Sequence, residues 1–402
     1  MINRKDYIDK LITFKDKQII KVITGVRRAG KSVLMELFQE YLLNVSKISK
    51  DQIIAINLED YDYKELLNPD NLHKYVKEKL QNNKMNYVFI DEVQNCKDFQ
   101  RVINSLQLKS NVDLYVTGSN AFILSNELTT FLSGRYVEIK ILPFSFKEFV
   151  SANSSNKSLQ ELYKDYLQRS SFPYVINFKD NLEAIKVYLE GIYNTIILKD
   201  VSMRMGITDT MLLESIVKFL FDNIGNPLST KKISDTMTSF GRKVDVKTLE
   251  RYIFALLDSF ILYRGQRYDI KGKQFLKTLD KYYIVDIGLR YYLLGGKNID
   301  FGHILENVIY LELLRRGYNV YVGKIDNLEV DFVCMRGNVT LYVQVSATVR
   351  DNETLKRELT SLKKINDHYP KILLTLDEEP EAVYDGIRKI NALNWLVSDN
   401  AS

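Results

Sequence analysis

Gly25-Val26-Arg27-Arg28-Ala29-Gly30-Lys31-Ser32 is the stretch on which the reading of this chain turns. An apolar run over 18–24 precedes it, and apolar residues at helical spacing over 32–43 follow it. The octet therefore belongs at a strand-to-helix turn. Glycines let backbone N–H groups turn inward around a phosphate, and the following helix adds the positive end of its dipole. Lys31 can neutralise β- and γ-phosphate charge, and the Ser32 hydroxyl is a hard oxygen suited to Mg2+. Gly25, Arg28, Gly30, Lys31 and Ser32 are thus expected to line a nucleotide-phosphate site.

Working outward, Tyr87-Val88-Phe89-Ile90-Asp91-Glu92 sets four apolar residues before two carboxylates. On a buried strand this carries Asp91 to the tip, where it can hold Mg2+ directly or through water. Glu92, one residue on, can polarise an attacking water. Val116-Thr117-Gly118-Ser119-Asn120 ends the next strand in small polar groups, and Ser119 or Asn120 could touch the γ-phosphate or its water; a plain turn is the competing reading. Leu132-Ser133-Gly134-Arg135 offers Arg135 as an arginine that senses or stabilises the γ-phosphate, against a surface-loop arginine. Strands expected over 18–24, 52–57, 87–91, 113–117 and 136–142 alternate with helical stretches, the pattern of βαβ units and a mostly parallel sheet. In sequence, a strand lies between the phosphate-loop strand and the acidic strand, and a polar-tipped strand follows. That order is the one of ATPases with an inserted strand and a catalytic Glu, and it favours ATP hydrolysis over GTP switching.

Composition narrows the field from the other side. Of 402 residues, 46% are hydrophobic and 27% charged, too apolar for a disordered chain. At about 150 residues per domain the length predicts two or three domains. No window nears the ~20 apolar residues of a membrane span. The start, Met1-Ile2-Asn3-Arg4-Lys5-Asp6, runs straight into charges without a secretory core. Cys96 and Cys334 stand far apart, and His73, His303 and His368 are scattered. This argues against a disulfide framework, a zinc site or a His-based triad, and suits a reducing cytoplasm. A formal net charge of +5 is too mild to name nucleic acid as a partner by itself.

After Pro143 the pattern turns helical to about 207. Helices are expected over 212–224, 229–239 with Ser229 as N-cap, and 246–259, followed by strands over 261–268 and 281–285. Three helices and then a hairpin is the order of a winged helix-turn-helix. The wing carries Arg264, Arg267, Lys271, Lys273, Lys277 and Lys281 against Asp269 and Asp280, a basic excess that could contact DNA phosphates. Docking of a protein, or regulation of the ATPase, is the other reading of such a module. From about 300 a helix over 304–316 leads to strands over 319–322, 329–334 and 340–346, a helix over 352–366 and a strand over 371–375. Leu294-Gly295-Gly296-Lys297 is the expected boundary.

With these motifs in hand, the chain resembles a family of bacterial and archaeal AAA-type ATPases. Its members show Gly-x-Arg-Arg-x-Gly-Lys-[Ser/Thr], a strand ending Asp-Glu-x-Gln, then Thr-Gly-Ser-[Ser/Asn], Gly-Arg and Pro-[Leu/Phe]-Ser-Phe-x-Glu-Phe. Here these are Arg27-Arg28, Asp91-Glu92-Val93-Gln94, Thr117-Gly118-Ser119-Asn120, Gly134-Arg135 and Pro143-Phe144-Ser145-Phe146-Lys147-Glu148-Phe149. The resemblance covers essentially the whole chain. It implies an α/β P-loop NTPase domain with a parallel sheet (1–150), a helical region with a winged helix-turn-helix (151–295) and a C-terminal α/β domain similar to the PD-(D/E)xK restriction-endonuclease fold (296–402). In such nucleases a helix Glu, a strand Asp and an acidic or Gln residue hold a divalent metal, and a Lys two residues on assists the chemistry. The matching positions are Glu306, Asp331 and Gln344, while position 346 is Ser, so the resemblance implies the fold without the catalytic Lys. Lys324 and Lys356 are the nearby lysines that could substitute.

ATP and Mg2+ are the expected cofactors, with Lys31, Asp91, Glu92 and Arg135 as catalytic residues and Ser32 and Asp91 as metal ligands. Three functions stay open: a nucleotide-driven ATPase switch coupled to the later domains, a DNA-binding protein or metal-dependent nuclease governed by ATP, and a signalling scaffold with little turnover. DNA and a protein are the candidate partners, a membrane is not, and oligomeric state is not specified.

Overall fold

The computed structural model describes residues 2–118, 134–153, 156–202, 206–276, 279–296 and 300–399. They form two compact units, 1–143 with 258–260, and 144–257 with 261–402. Among the described residues no helix is long and apolar enough to cross a membrane.

The first unit opens with helix α1 (Lys5–Phe14), then β1 (Ile20–Thr24) and α2 (Lys31–Asn44). β2 (Ile53–Asn57), α3 (Pro69–Lys79), β3 (Asn86–Asp91), α4 (Phe99–Gln107), β4 (Val112–Thr117) and β5 (Tyr136–Lys140) follow. The strands make a five-stranded sheet in the order β2-β3-β4-β1-β5, parallel throughout. β4 stands between the phosphate-loop strand and the acidic strand, the inserted-strand order expected from the sequence. β1, β3 and β4 are buried along their whole length, which is why they read as unbroken apolar runs rather than alternating ones. Val88, Ile90, Leu114 and Val116 pack with Val102, Ile103 and Leu106 of α4 in one core.

At the edge of the sheet where its strands begin, Lys21 and Asp113 form a salt bridge with both side chains sealed from water. Lys21 also donates to the Lys17 carbonyl at 2.8 Å, and the Tyr115 hydroxyl donates to Asp113 at 2.8 Å. Burial pushes the lysine pKa down and the aspartate pKa up, and each charge opposes that drift in the other. Taking away one member strands the other, and breaking a buried pair costs about 3–5 kcal/mol.

The second unit begins with helices Phe146–Ala152, Leu159–Arg169 and Leu182–Ile192. Helix Thr210–Asp222, strand β6 (Pro227–Leu228), and helices Thr230–Ser239 and Val246–Asp258 come next. Ser229 caps its helix as expected, accepting the Lys232 N–H at 3.1 Å. β7 (Leu262–Gly265), β8 (Arg267–Asp269), β9 (Gln274–Phe275) and β10 (Asp280–Ile284) follow. β6, β10 and β7 form a small antiparallel sheet in that order.

After helices Ile287–Leu294 and Phe301–Arg315, β11 (Asn319–Ile325), β12 (Leu328–Arg336) and β13 (Val339–Ser346) run antiparallel. β14 (Lys371–Thr375), β15 (Ala382–Tyr384) and β16 (Ile387–Asn391) complete an eight-stranded sheet that also takes in β8 and β9. The expected boundary at 295–296 thus lies inside this unit, whose main sheet draws strands from both sides of it. Asp113→Ala is expected to lower the unfolding free energy by about 3–5 kcal/mol, read from urea denaturation of the full chain. A loss under about 1 kcal/mol would mean that the pair is not sealed from water.

Candidate functional site

A parallel sheet brings the C-terminal tips of its strands to one edge, and four polar groups meet there. β1 ends at Thr24 and turns into the octet, β3 ends at Asp91, and β4 ends at Thr117 beside it. Gly25 has φ +145°, and a Cβ there would stand 2.3 Å from the Ile141 carbonyl oxygen, so the turn into the loop admits only glycine. Arg28 (φ +66°) and Gly30 (φ +93°) complete the curl, and Lys31 opens α2. The Lys31 side chain is buried and lies back along the loop, its Nζ 3.2 Å from the Gly25 carbonyl and 3.4 Å from that of Val26. Burial pulls its pKa down, and the charges of Glu92 and Asp91 pull it back up. Ser32 sits half-buried at the start of the same helix, Arg28 is exposed, and Arg27 pairs with Glu59 at 2.9 Å.

Asp91 and Glu92 are both buried at the sheet edge. One hydroxyl organises them. Thr117 Oγ1 donates to the Asp91 carboxylate and accepts the Glu92 backbone N–H at 3.0 Å. Glu92 takes a left-handed backbone, φ +51°, and its carboxylate accepts the side-chain amide of Gln94. The structure therefore brings together Gly25, Gly30, Lys31, Ser32, Asp91 and Glu92. Ser119 and Asn120 lie outside the described residues.

Arg135 stands apart from the loop of its own chain. Its carbonyl accepts the Ile20 N–H at 2.9 Å, and β5 runs parallel to β1 with Tyr136 opposite Ile20. It therefore stands where β1 begins, five residues from the loop, or roughly 16 Å at strand rise. That is beyond the reach of an arginine side chain, so Arg135 does not belong to the site of its own chain.

The sequence reading missed Arg4. Just before α1, and 2% exposed, its guanidinium donates to the Ala29 carbonyl of the loop at 2.9 Å and to the Leu142 carbonyl at 2.7 Å. It also stacks on Tyr7 at 4.7 Å, whose hydroxyl accepts the Leu142 N–H at 3.0 Å. One side chain thus ties the loop to the segment after β5. No local motif announces it, because its partners are backbone carbonyls 25 and 138 positions away.

In the second unit Glu306, Asp331 and Gln344 do converge, all buried. Lys324 and Lys356 are not the lysines that join them; Lys281 is, with Nζ 2.9 Å from Glu306, 2.7 Å from Glu329 and 3.9 Å from Asp331. Burial alone would lower the Lys281 pKa, but Glu306, Asp331 and Glu329 together hold it above its ordinary value. Burial and then the Glu306 charge drive Asp331 well above the carboxylate range. Ser346 donates to the Thr348 carbonyl at 3.0 Å.

The expected basic wing is partly engaged. Lys281 is buried, Lys271 pairs with Asp326 at 2.6 Å, and Arg264 lies 3.8 Å from Asp280. Arg267 sits in β8, which pairs parallel with β11 of the large sheet. Lys277 lies outside the described residues.

Comparison with known proteins gives residues 17–150 as a match to an AAA domain family and 160–300 as a match to a domain of unknown function. An uncharacterized protein of Haemophilus influenzae is 40% identical over 401 residues, 99% of each chain. One of Methanocaldococcus jannaschii is 32% identical over 384 residues, 90% of this chain and 81% of its own. Among solved structures, a Walker-type ATPase of Pyrococcus abyssi aligns at TM-score 0.49 and 16% identity, over 73% of this chain and 96% of that one. The Orc1 protein of Aeropyrum pernix, solved in complex with DNA, aligns at TM-score 0.30 and 12% identity, over 74% and 93%.

Lys31→Ala is expected to abolish binding of a fluorescent ATP analogue. Arg4→Ala should weaken that binding about tenfold with the fold intact, and Arg4→Lys should recover only part, because an ammonium cannot fork to two carbonyls. Unchanged affinity in Arg4→Ala would reduce Arg4 to an anchor for α1.

Proposed function

This chain belongs to the family of its Haemophilus and Methanocaldococcus relatives, and with its residues 17–150 matching an AAA domain we propose a Mg2+-dependent ATPase whose turnover acts as a switch on the second unit. One observation carries the reading: the Thr117 hydroxyl holds Asp91 and Glu92 in fixed relation at the same sheet edge as Lys31 and the phosphate-cradling loop. In this reading Lys31 neutralises the β- and γ-phosphates. Glu92, turned away from the strand by its left-handed backbone, orients or deprotonates the attacking water. Ser32 and Asp91 would hold Mg2+. These hard oxygens suit it, and Mg2+ needs only one or two protein ligands when phosphates and water fill the rest. Bound there, the ion would draw charge from the γ-phosphate as the bond to it breaks.

We read the chain as three domains, 1–150, 151–295 and 296–402, the last two sharing one compact unit. The order helix, β6, helix, helix, β7, β10 supports a winged helix for the middle one. Glu306 on a helix, with Asp331 and Gln344 on adjacent strands, supports kinship of the last with the PD-(D/E)xK fold. With Lys281 buried among carboxylates and withdrawn from the wing, we favour protein docking or regulation of the ATPase over phosphate contact for the winged helix. Both cysteines are free and buried, in keeping with our assignment to the cytoplasm.

Steady-state ATP hydrolysis by the full chain, with and without duplex DNA, tests the proposal beside Glu92→Gln. The expected result is Mg2+-dependent turnover, indifferent to DNA, that falls at least about 100-fold in Glu92→Gln while ATP stays bound. Undiminished turnover in that variant would remove Glu92 as the base. DNA stimulation lost on charge reversal at Lys271 and Lys273 would return the nucleic-acid reading. A single turnover per chain would favour a nucleotide-holding scaffold.

A further inference from the structure

The acidic cluster of the second unit is where a metal-dependent phosphodiester hydrolase would seat its divalent ion, and its residues do not fit one. A metal ligand must offer an oxygen lone pair to the ion, and here several of the inward-facing lone pairs are already engaged. Glu306 Oε1 accepts two hydrogen bonds, from Lys281 Nζ at 2.9 Å and from the Tyr283 hydroxyl at 2.7 Å, which uses both of its lone pairs. Gln344 Oε1 accepts the Asp331 N–H at 3.3 Å and the Ser361 hydroxyl at 3.4 Å, while the Gln344 amide donates to Glu358 at 2.9 Å. Asp331 Oδ2 accepts the Val345 N–H at 2.8 Å, and its other oxygen faces Lys281. Among the described residues no group of three or more His, Cys, Asp or Glu side chains is arranged to hold a metal.

The Glu306 side of the cluster is also buried. Gly225 packs over Glu306 so tightly that a Cβ there would come within 3.1 Å of Oε2. Tyr283 is completely buried beside it, and Lys281 itself is 3% exposed.

We propose that Lys281 is the built-in cation of this cluster: its ammonium fills the seat among Glu306, Glu329 and Asp331 that a divalent ion would take, so the region binds no metal there and hydrolyses no nucleic acid. The three N–H bonds of an ammonium match this duty, with two directed at Glu306 and Glu329 and the third left for Asp331. The cluster serves instead as a weld. Lys281 lies on β10 of the small sheet, Glu306 on helix Phe301–Arg315, and Glu329 and Asp331 on β12 of the large sheet. One residue beyond Glu306 and three beyond Lys281, the same strand and helix are clamped again: the Asn307 side chain accepts the Ile284 N–H at 2.8 Å and donates to its carbonyl at 2.9 Å. The small and large sheets are therefore held as one piece by charge and hydrogen bonds. No step of this proposal passes through the nucleotide site, so it stands or falls apart from the ATPase reading.

The test uses the nucleotide-free full chain and Mn2+ as probe. Wild-type protein is expected to show no saturable Mn2+ site by electron paramagnetic resonance, no nicking of supercoiled DNA with Mg2+ or Mn2+, and no change of Tm with Mn2+. Lys281→Ala should lower Tm by about 10 °C, because it strands buried carboxylates, and millimolar Mn2+ should restore at least half of that loss. A wild-type Mn2+ site, or Mn2+-dependent nicking, that disappears in Asp331→Asn would overturn the proposal. So would a Lys281→Ala protein as stable as wild type, or one that loses stability and gains nothing from Mn2+. Should Lys281→Ala not fold, the wild-type titration and the nicking assay still decide: a saturable site or nicking that Asp331→Asn removes sinks the idea, and the absence of both upholds it.

Discussion

A single hydroxyl, Thr117 Oγ1, sets the geometry on which the nucleotide site depends. It binds the carboxylate of the strand beside it and the backbone N–H that follows, so Asp91 and Glu92 keep fixed positions before any ligand arrives. That contact exists only because β4 lies next to β3 and both strands end at the same height. The inserted strand is thus more than a topological signature. It carries the donor that orders the acidic pair, and it separates that pair from the phosphate loop by the width of one strand.

Three buried lysines show how the same side chain is put to different ends. Lys21 meets Asp113 and is matched charge for charge. Lys281 meets carboxylates on two further elements, and its charge is more than matched. Among the described residues the Lys31 ammonium contacts the carbonyls of Gly25 and Val26, while the nearby carboxylates act on it from a distance. A buried ammonium without a contacting anion is costly, and the cost falls when an anionic ligand supplies the partner. In the proposed reading, a phosphate would supply the counter-charge that Lys31 lacks at contact distance. Arg4 supports that arrangement by bracing the Ala29 carbonyl, which holds the loop in its curl.

Much of the first unit was legible in the sequence, for a local reason. A phosphate loop is a contiguous octet, and a strand buried on both faces writes itself as a contiguous apolar run, so Gly25–Ser32 and Tyr87–Glu92 could be read without knowing any long-range contact. Ser229 as a cap was legible on the same grounds. Arg4, Lys281 and Arg135 were not. Arg4 meets carbonyls far along the chain, Lys281 looks like one more wing cation until β10 is set against helix Phe301–Arg315, and Arg135 seems near the loop until β5 is seen to start beside Ile20.

The sequence by itself determined the class of chemistry: a P-loop, an acidic strand tip and an inserted strand, each encoded by residue types at short spacing. Tertiary structure decided which charges meet. It gave Lys281 to the carboxylates of the second unit, turned a basic wing into the edge of an eight-stranded sheet and removed Arg135 from its own chain's site. The physical reason is one of range. Backbone turns and strand burial are fixed by neighbours in sequence, whereas an ion pair forms wherever folding brings opposite charges out of water together, and no local pattern records that encounter.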